Sequence, residues 1–174
     1  MEITHLPARS AEGHVNVFVE IPRGSRNKYE YDKELGVIRL DRALYSAVHY
    51  PTDYGFVPGT RSADGELIDA LLMVEESTFP GCLVQARLIG VLTIAHGSGL
   101  PEQKLLCVPV REPRFAEYED ITDVPTHLLK EIEHFFNVFK DLEDRHVDTL
   151  GWEGVQQAHE VLDTAIHAAQ ATRE

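Results

Sequence analysis

The sequence predicts a single α+β domain, strand-rich in its first two thirds and helical at its C-terminal end. Three observations carry that expectation. Apolar residues alternate with polar ones from Val15 onward, the period of a half-buried strand. Short apolar runs at Ala70–Val74, Cys82–Ala95 and Leu105–Val110 are separated by loops rich in Gly, Pro and charge, the pattern of strands joined over a surface. Beyond Arg111 the apolar period lengthens to that of amphipathic helices.

Taken in order, Val15, Val17, Val19 and Ile21 fall on one face of a first strand and Glu20 on the other. After a loop from Pro22 to Asn27, the stretch from Lys28 to Asp32 alternates again and puts Lys28 and Glu30 on the same side. Lys33 to Gly36 turns the chain into Val37–Arg42, completing a predicted hairpin. Tyr50 to Thr60, dense in Pro, Gly and aromatic residues, reads as an ordered loop or irregular strand packed by its rings. Cys82 to Ala95 reads as a long β-rich stretch interrupted at Gly90, followed by a Gly- and Pro-containing loop from His96 to Lys104. Pro125 suits the start of a helix that carries Leu128, Ile132, Phe135, Phe136 and Phe139 at helical spacing through Asp141. A second helix is predicted to follow Gly151, with Trp152, Val155, Ala158, Leu162, Ala165, Ile166 and Ala169 on one face. His127, His134, His159 and His167 lie on these helices without a zinc-type partner set, so a structural or surface role is expected of them.

Composition narrows the function. A chain of 174 residues is long enough to bury a core without disulfides or metals as staples, and it is short for two domains. The formal net charge of −13 argues against nucleic acid or an anionic membrane surface as a partner, since both reward clustered Lys and Arg. No apolar run approaches membrane-spanning length, and Met1 to Ser10 lacks the apolar segment of a signal peptide, so a cytoplasmic protein is expected. Cys82 and Cys107 stand in apolar contexts without metal-type spacing and read as small hydrophobes in a reducing compartment.

The chemistry-bearing stretch is Asp64-Gly65-Glu66-Leu67-Ile68-Asp69, which sets three carboxylates at the mouth of an apolar run. An ionised Asp69 between Ile68 and Leu71 must be paired, metal-bound or neutralised, because burying a bare carboxylate is heavily penalised. A hard divalent cation would satisfy it with oxygen ligands. A polar Asp-Gly turn before a strand is the plainer account of the same hexapeptide.

Together, Glu20, Lys28-Tyr29-Glu30, Arg42, Tyr50-Pro51, Asp53-Tyr54-Gly55, the Asp64–Asp69 hexapeptide, Lys104 and the run from Phe135-Phe136 to Lys140-Asp141-Leu142-Glu143 resemble the soluble family I inorganic pyrophosphatases in composition and order. The resemblance covers roughly Val15 to Glu143. It implies a five-stranded OB-like β-barrel flanked by helices, an active site at the barrel mouth, a homo-oligomeric assembly that in bacteria is often a hexamer, and Mg2+ as cofactor. Carried over by position, it makes Asp64 and Asp69 metal ligands, with Glu20, Glu30 and Glu102 in support. Lys28, Arg42, Tyr50, Tyr54, Lys104 and Lys140 would bind the substrate's phosphate groups, and Glu66 would help deprotonate the attacking water.

This chain departs from the family pattern at several of these positions. Glu66 and Leu67 stand where the signature usually has Asp and Pro, His96 stands where a metal-binding Asp is expected, and Phe139 replaces a Tyr. A His in the metal set admits Mn2+ or Zn2+ beside Mg2+. Three functional readings follow: a metal-dependent hydrolase of pyrophosphate, a paralogue retuned toward an organic phosphate or diphosphate such as a nucleotide or sugar phosphate, and an inactive phosphate-binding homologue.

Overall fold

The computed structural model describes residues 2–172. Its strands are β1 (Val15–Ile21), β2 (Asn27–Asp32), β3 (Val37–Ala43), β4 (Asp53–Val57), β5 (Ile68–Leu72), β6 (Leu83–His96), β7 (Glu102–Pro109) and β8 (Val147–Gly154), with helices α1 (Thr126–Val138) and α2 (Val155–Ala171). Strand order β1-β4-β5-β7-β6, closed by pairing of β6 back onto β1, makes a five-stranded ring. Only the β5–β7 pair is parallel. β8 continues the sheet beyond β6, and β2 with β3 forms a separate hairpin.

Alternation along the ring strands sorts the side chains into two cores. Val15, Val17 and Val19, Val57, Ile68 and Ala70, Ala86 and Leu88, and Leu105 and Cys107 come from all five ring strands and form one buried cluster with Ala158, Leu162 and Ala165 of α2. This is the ring interior, closed at one end by α2. Leu71, Leu106, Val108, Ile89 and Leu92 have the opposite parity and pack under Ile132, Phe135 and Phe136 of α1 on the outer wall. A register shift between Leu88 and Gly90 moves the parity of β6, so Leu88 and Val91 both point inward.

The predicted interruption at Gly90 is therefore a bulge within one continuous strand. A Cβ at Gly90 would meet the Glu153 carbonyl oxygen at 2.7 Å, so close approach of β8 requires glycine there. Gly55 has the same origin: a Cβ would lie 1.9 Å from the Phe18 carbonyl oxygen, which explains a glycine inside β4. Two expectations need correction. Trp152 lies in β8, paired with Leu92, and α2 begins only at Val155. Its first N–H is accepted by the Asp120 carboxylate at 2.9 Å, a cap supplied from outside the helix. Glu102 and Lys104, expected in a loop, are the first and third residues of β7. Among the described residues no helix is long and apolar enough to cross a membrane.

Candidate active site

The outward parity that buries Leu71 and Leu106 under α1 also turns Asp69 and Lys104 outward, and the parallel β5–β7 register places them side by side. Lys104 Nζ donates to Asp69 Oδ2 at 2.6 Å and to the Tyr54 hydroxyl at 2.8 Å, while that hydroxyl donates to Asp69 Oδ2 at 2.6 Å. The Lys104 side chain is 4% exposed and its ammonium lies 5.1 Å and 5.2 Å from the ring centres of Tyr54 and Phe136. The requirement that Asp69 be paired is thus met by a lysine whose own burial is compensated by the carboxylate and two aromatic faces. Burial, then the negative charge of Asp69, pushes the Tyr54 pKa well above that of an ordinary phenol, which keeps it a hydrogen-bond donor.

This trio floors a cleft of about 540 Å3 bounded by the β2–β3 hairpin, the Ser62–Glu66 loop and the end of α1. Glu20, Lys28, Glu30, Lys33, Tyr50, Asp64, Glu66, His96, Glu102 and Lys140 also line it. On the hairpin, Lys28 bonds Glu30 and reaches Asp41 at 3.2 Å. Burial works against its charge, but these carboxylates outweigh burial and hold its pKa above the usual value. Lys140, over the Phe139 ring at 5.2 Å, has its pKa lowered by burial and by repulsion from Lys28. Tyr50 is buried against Phe135, ring centres 4.7 Å apart, and forms wall rather than an open hydroxyl surface. Arg42 does not line the cleft. It pairs with Lys28 in the β2–β3 ladder, and its guanidinium is engaged by Asp41 and by Glu143, with Nε 2.8 Å from Glu143.

The acidic hexapeptide lines the cleft without converging. Asp64 accepts from Ser62 Oγ at 2.5 Å and the Glu66 backbone N–H at 3.0 Å, an Asx turn closed by Gly65 at φ +88°. Burial raises the Asp64 pKa, but those two bonds overcome it and leave the carboxyl below its ordinary value. Glu66 is exposed and bonded to Lys33 across the cleft at 3.0 Å. Among the described residues no three Asp, Glu, His or Cys side chains meet at metal-ion spacing. Each carboxylate instead takes the nearest donor.

The donor set nevertheless suits a divalent cation. Six carboxylates line the cleft against four lysines, together with one imidazole, His96, whose Nε2 is 3.2 Å from Glu102 Oε2. Glu20 shows what enclosure does to one of these carboxyls. Burial, with a contribution from Asp69, pushes its carboxyl up to about 7 even though Oε1 accepts the Tyr31 N–H at 2.8 Å. A polyanion entering such a cleft needs further positive charge, and carboxylate oxygens are what Mg2+ takes.

A family model, Inorganic pyrophosphatase, matches residues 17–170. The chain belongs to the inorganic pyrophosphatase family. The inorganic pyrophosphatase of Nostoc sp. is 44% identical over 168 residues, covering 97% of this chain and 99% of that protein. That of Methanosarcina acetivorans is 49% identical over 150 residues, covering 86% and 89%. Among solved structures, inorganic pyrophosphatase from Thermus thermophilus superposes with a TM-score of 0.93 at 36% identity, covering 98% of this chain and 99% of that one. The five-stranded ring with two C-terminal helices is thus the architecture of this pyrophosphatase family.

Lys33, Asp41 and Ser62 escaped the sequence reading as site residues, although they, like Glu143, each hold a residue that it singled out. Lys33 sits in a hairpin turn and Ser62 in a loop, where a single residue carries no periodic signal. Asp41 could have been suspected from its place beside Arg42, whereas Glu143 was included in the resemblance without a role.

Proposed function

We propose that the protein hydrolyses inorganic pyrophosphate to two phosphates in the cytoplasm, with Mg2+ as cofactor, in the cleft between the β2–β3 hairpin and α1. The observation that carries this reading is the gathering of six carboxylates and four lysines in one cleft in a member of the inorganic pyrophosphatase family. Asp64, Asp69, Glu20, Glu30 and Glu102 would hold the metal. Bound there, divalent ions would neutralise diphosphate charge and lower the pKa of the attacking water.

The chain's own groups divide the remaining work. Lys104, fixed by Asp69 and Tyr54, presents an ammonium whose position is set before substrate arrives, the preorganisation that stabilises charge without reorganisation. Lys28 and Lys140 face the same space from the hairpin and from the end of α1, so the three lysines grip phosphate oxygens from different sides. Tyr54 donates a hydrogen bond at the floor. Glu66 takes the proton of the attacking water once its bond to Lys33 opens, and Arg42 reaches phosphate by exchanging Glu143 for it. Water adds to one phosphorus, the bridging P–O bond breaks, and each half leaves as phosphate.

The protein is proposed to work as a homo-oligomer, a hexamer by family resemblance, which light scattering reads directly. The activity is tested by phosphate release from pyrophosphate, nucleotides and sugar phosphates, with Mg2+, with Mn2+ and with excess chelator. Pyrophosphate with Mg2+ should be hydrolysed and chelator should stop it. Unchanged release in chelator, or faster release from a nucleotide or sugar phosphate, would overturn the proposal.

A further inference from the structure

Arg42 is kept out of the cleft by Glu143, in the turn after α1. Cross-strand partners share a face of a hairpin, so Arg42, opposite Lys28 in the β2–β3 ladder, stands beside a lysine that lines the cleft. Its guanidinium nevertheless turns away, with Nε 2.8 Å from Glu143 Oε1. The contact is close but poorly aligned. Among the described residues, four buried side-chain polar atoms have no hydrogen-bond partner, and two of them are Arg42 Nε and Glu143 Oε2. The Glu143 side chain is 10% exposed, so solvent does little for its second oxygen, and an unsatisfied buried polar group calls for an explanation beyond packing.

The backbone supplies a second sign. The N–H groups of Glu143 and Arg145 both donate to the Lys140 carbonyl, at 3.0 Å and 3.2 Å, and Asp144 between them is the one described residue other than glycine at positive φ, +55°. That conformation is uncommon for a residue with a side chain, and such strain collects where a segment meets a ligand. The same turn thus carries a lysine that lines the cleft and the carboxylate that holds an arginine out of it. A phosphate offers a guanidinium two parallel hydrogen bonds, which Glu143 does not. Asp41, bonded to Arg42 and 3.2 Å from Lys28 Nζ, keeps the guanidinium near the cleft edge. We infer that Glu143 is a positioning residue that competes with phosphate for Arg42, so that the arginine binds phosphate in the occupied cleft and is taken back by Glu143 as product leaves. The inference rests on the reading of the cleft as a pyrophosphate site and adds to it the residue that limits how tightly product is held.

Phosphate inhibition of pyrophosphate hydrolysis at saturating Mg2+ tests it in the wild type, Glu143→Gln, Arg42→Ala and the double variant. Glu143→Gln frees Arg42, so the inhibition constant for phosphate should fall at least fivefold and KM at least threefold, while kcat does not rise. A purely structural loss would lower Tm without tightening phosphate. In the Arg42→Ala background the same substitution should change the phosphate constant less than twofold; an equal fall there would assign the effect to lost charge repulsion and overturn the inference. In 15N spectra of the wild type, which depend on no variant folding, phosphate with Mg2+ should shift the Arg42 Nε resonance. A phosphate constant in Glu143→Gln within twofold of wild type, or an Arg42 Nε resonance unmoved at phosphate saturation, overturns the inference and, with hydrolysis intact, leaves the proposed function standing. A wild type that neither hydrolyses pyrophosphate nor binds phosphate overturns both.

Discussion

On β5 and β7, neighbouring residues end in opposite environments. Ile68, Ala70 and Leu105 are at most 2% exposed in the ring interior under α2, while Asp69 and Lys104, each next to one of them in sequence, face the cleft. The interior is apolar, closed on itself and free of conflict. The cleft holds carboxylates in excess of cations, including one whose protonation is favoured to about 7. The difference teaches that stability and chemistry are carried by opposite faces of the same strands. A two-residue repeat lets folding be secured on one side while charge is concentrated on the other.

That separation can be broken or sharpened by substitution. The largest effect should come from Leu162→Ala, which empties a fully buried site between α2 and the ring and should cost about 2–5 kcal/mol of stability. Chemical denaturation would measure it, and divalent-ion affinity below the melting transition should stay as in wild type. Impaired ion binding in the folded variant would mean that the faces are not independent. Asp69→Asn is the counterpart on the cleft side. It removes the anion that holds Lys104 and Tyr54 and should lower pyrophosphate turnover at least 100-fold, about 2.7 kcal/mol. If Asp69→Asn destabilised the protein as much as Leu162→Ala and left turnover within tenfold, the division would be refuted.

Lys28→Ala should cost about 1.5–3 kcal/mol of transition-state binding, the range for hydrogen bonds to charged groups, and should leave the hairpin folded. A kcat/KM within twofold of wild type would reduce its bonds to Glu30 and Asp41 to a surface pair. The smallest effect concerns Glu20. Its folded pKa is raised from 4.5 to about 7, so the folded state binds more protons than the unfolded one between those values. Its contribution therefore favours the fold below about pH 4.5 and is lost as pH rises through 7. In chelator, Glu20→Gln should raise Tm at pH 8 relative to wild type, by about 2–4 °C per kcal/mol recovered for a chain of this size, and should not do so at pH 4. Saturating Mg2+ should erase the gain. An equal gain at both pH values would locate the effect in packing and not in charge.

Much was legible from residues 15–42 and from α1, because their periods are local properties of the chain. The strand from Val15 to Ile21 has the expected limits, and the stripe Ile132, Phe135, Phe136 and Phe139 is buried as its spacing requires. The presence of Asp64, Glu66, Asp69, Lys28 and Lys104 in one site followed from the family resemblance, and all five line the same cleft. Tertiary structure alone decided the rest. It made Trp152 part of a strand, because the stretch from Val147 has little apolar period of its own and is held by β6. It separated Asp64 and Glu66 from Asp69, because Asp64 closes its own loop on Ser62, Glu66 reaches Lys33 of the hairpin turn, and Asp69 is held by Lys104 and Tyr54. It also drew Arg42 to Glu143 and joined Lys104 to Tyr54 across fifty residues of chain. Local pattern determines which face a side chain takes, but the partner it meets there depends on strand pairing between distant segments. No single stretch of sequence contains that information.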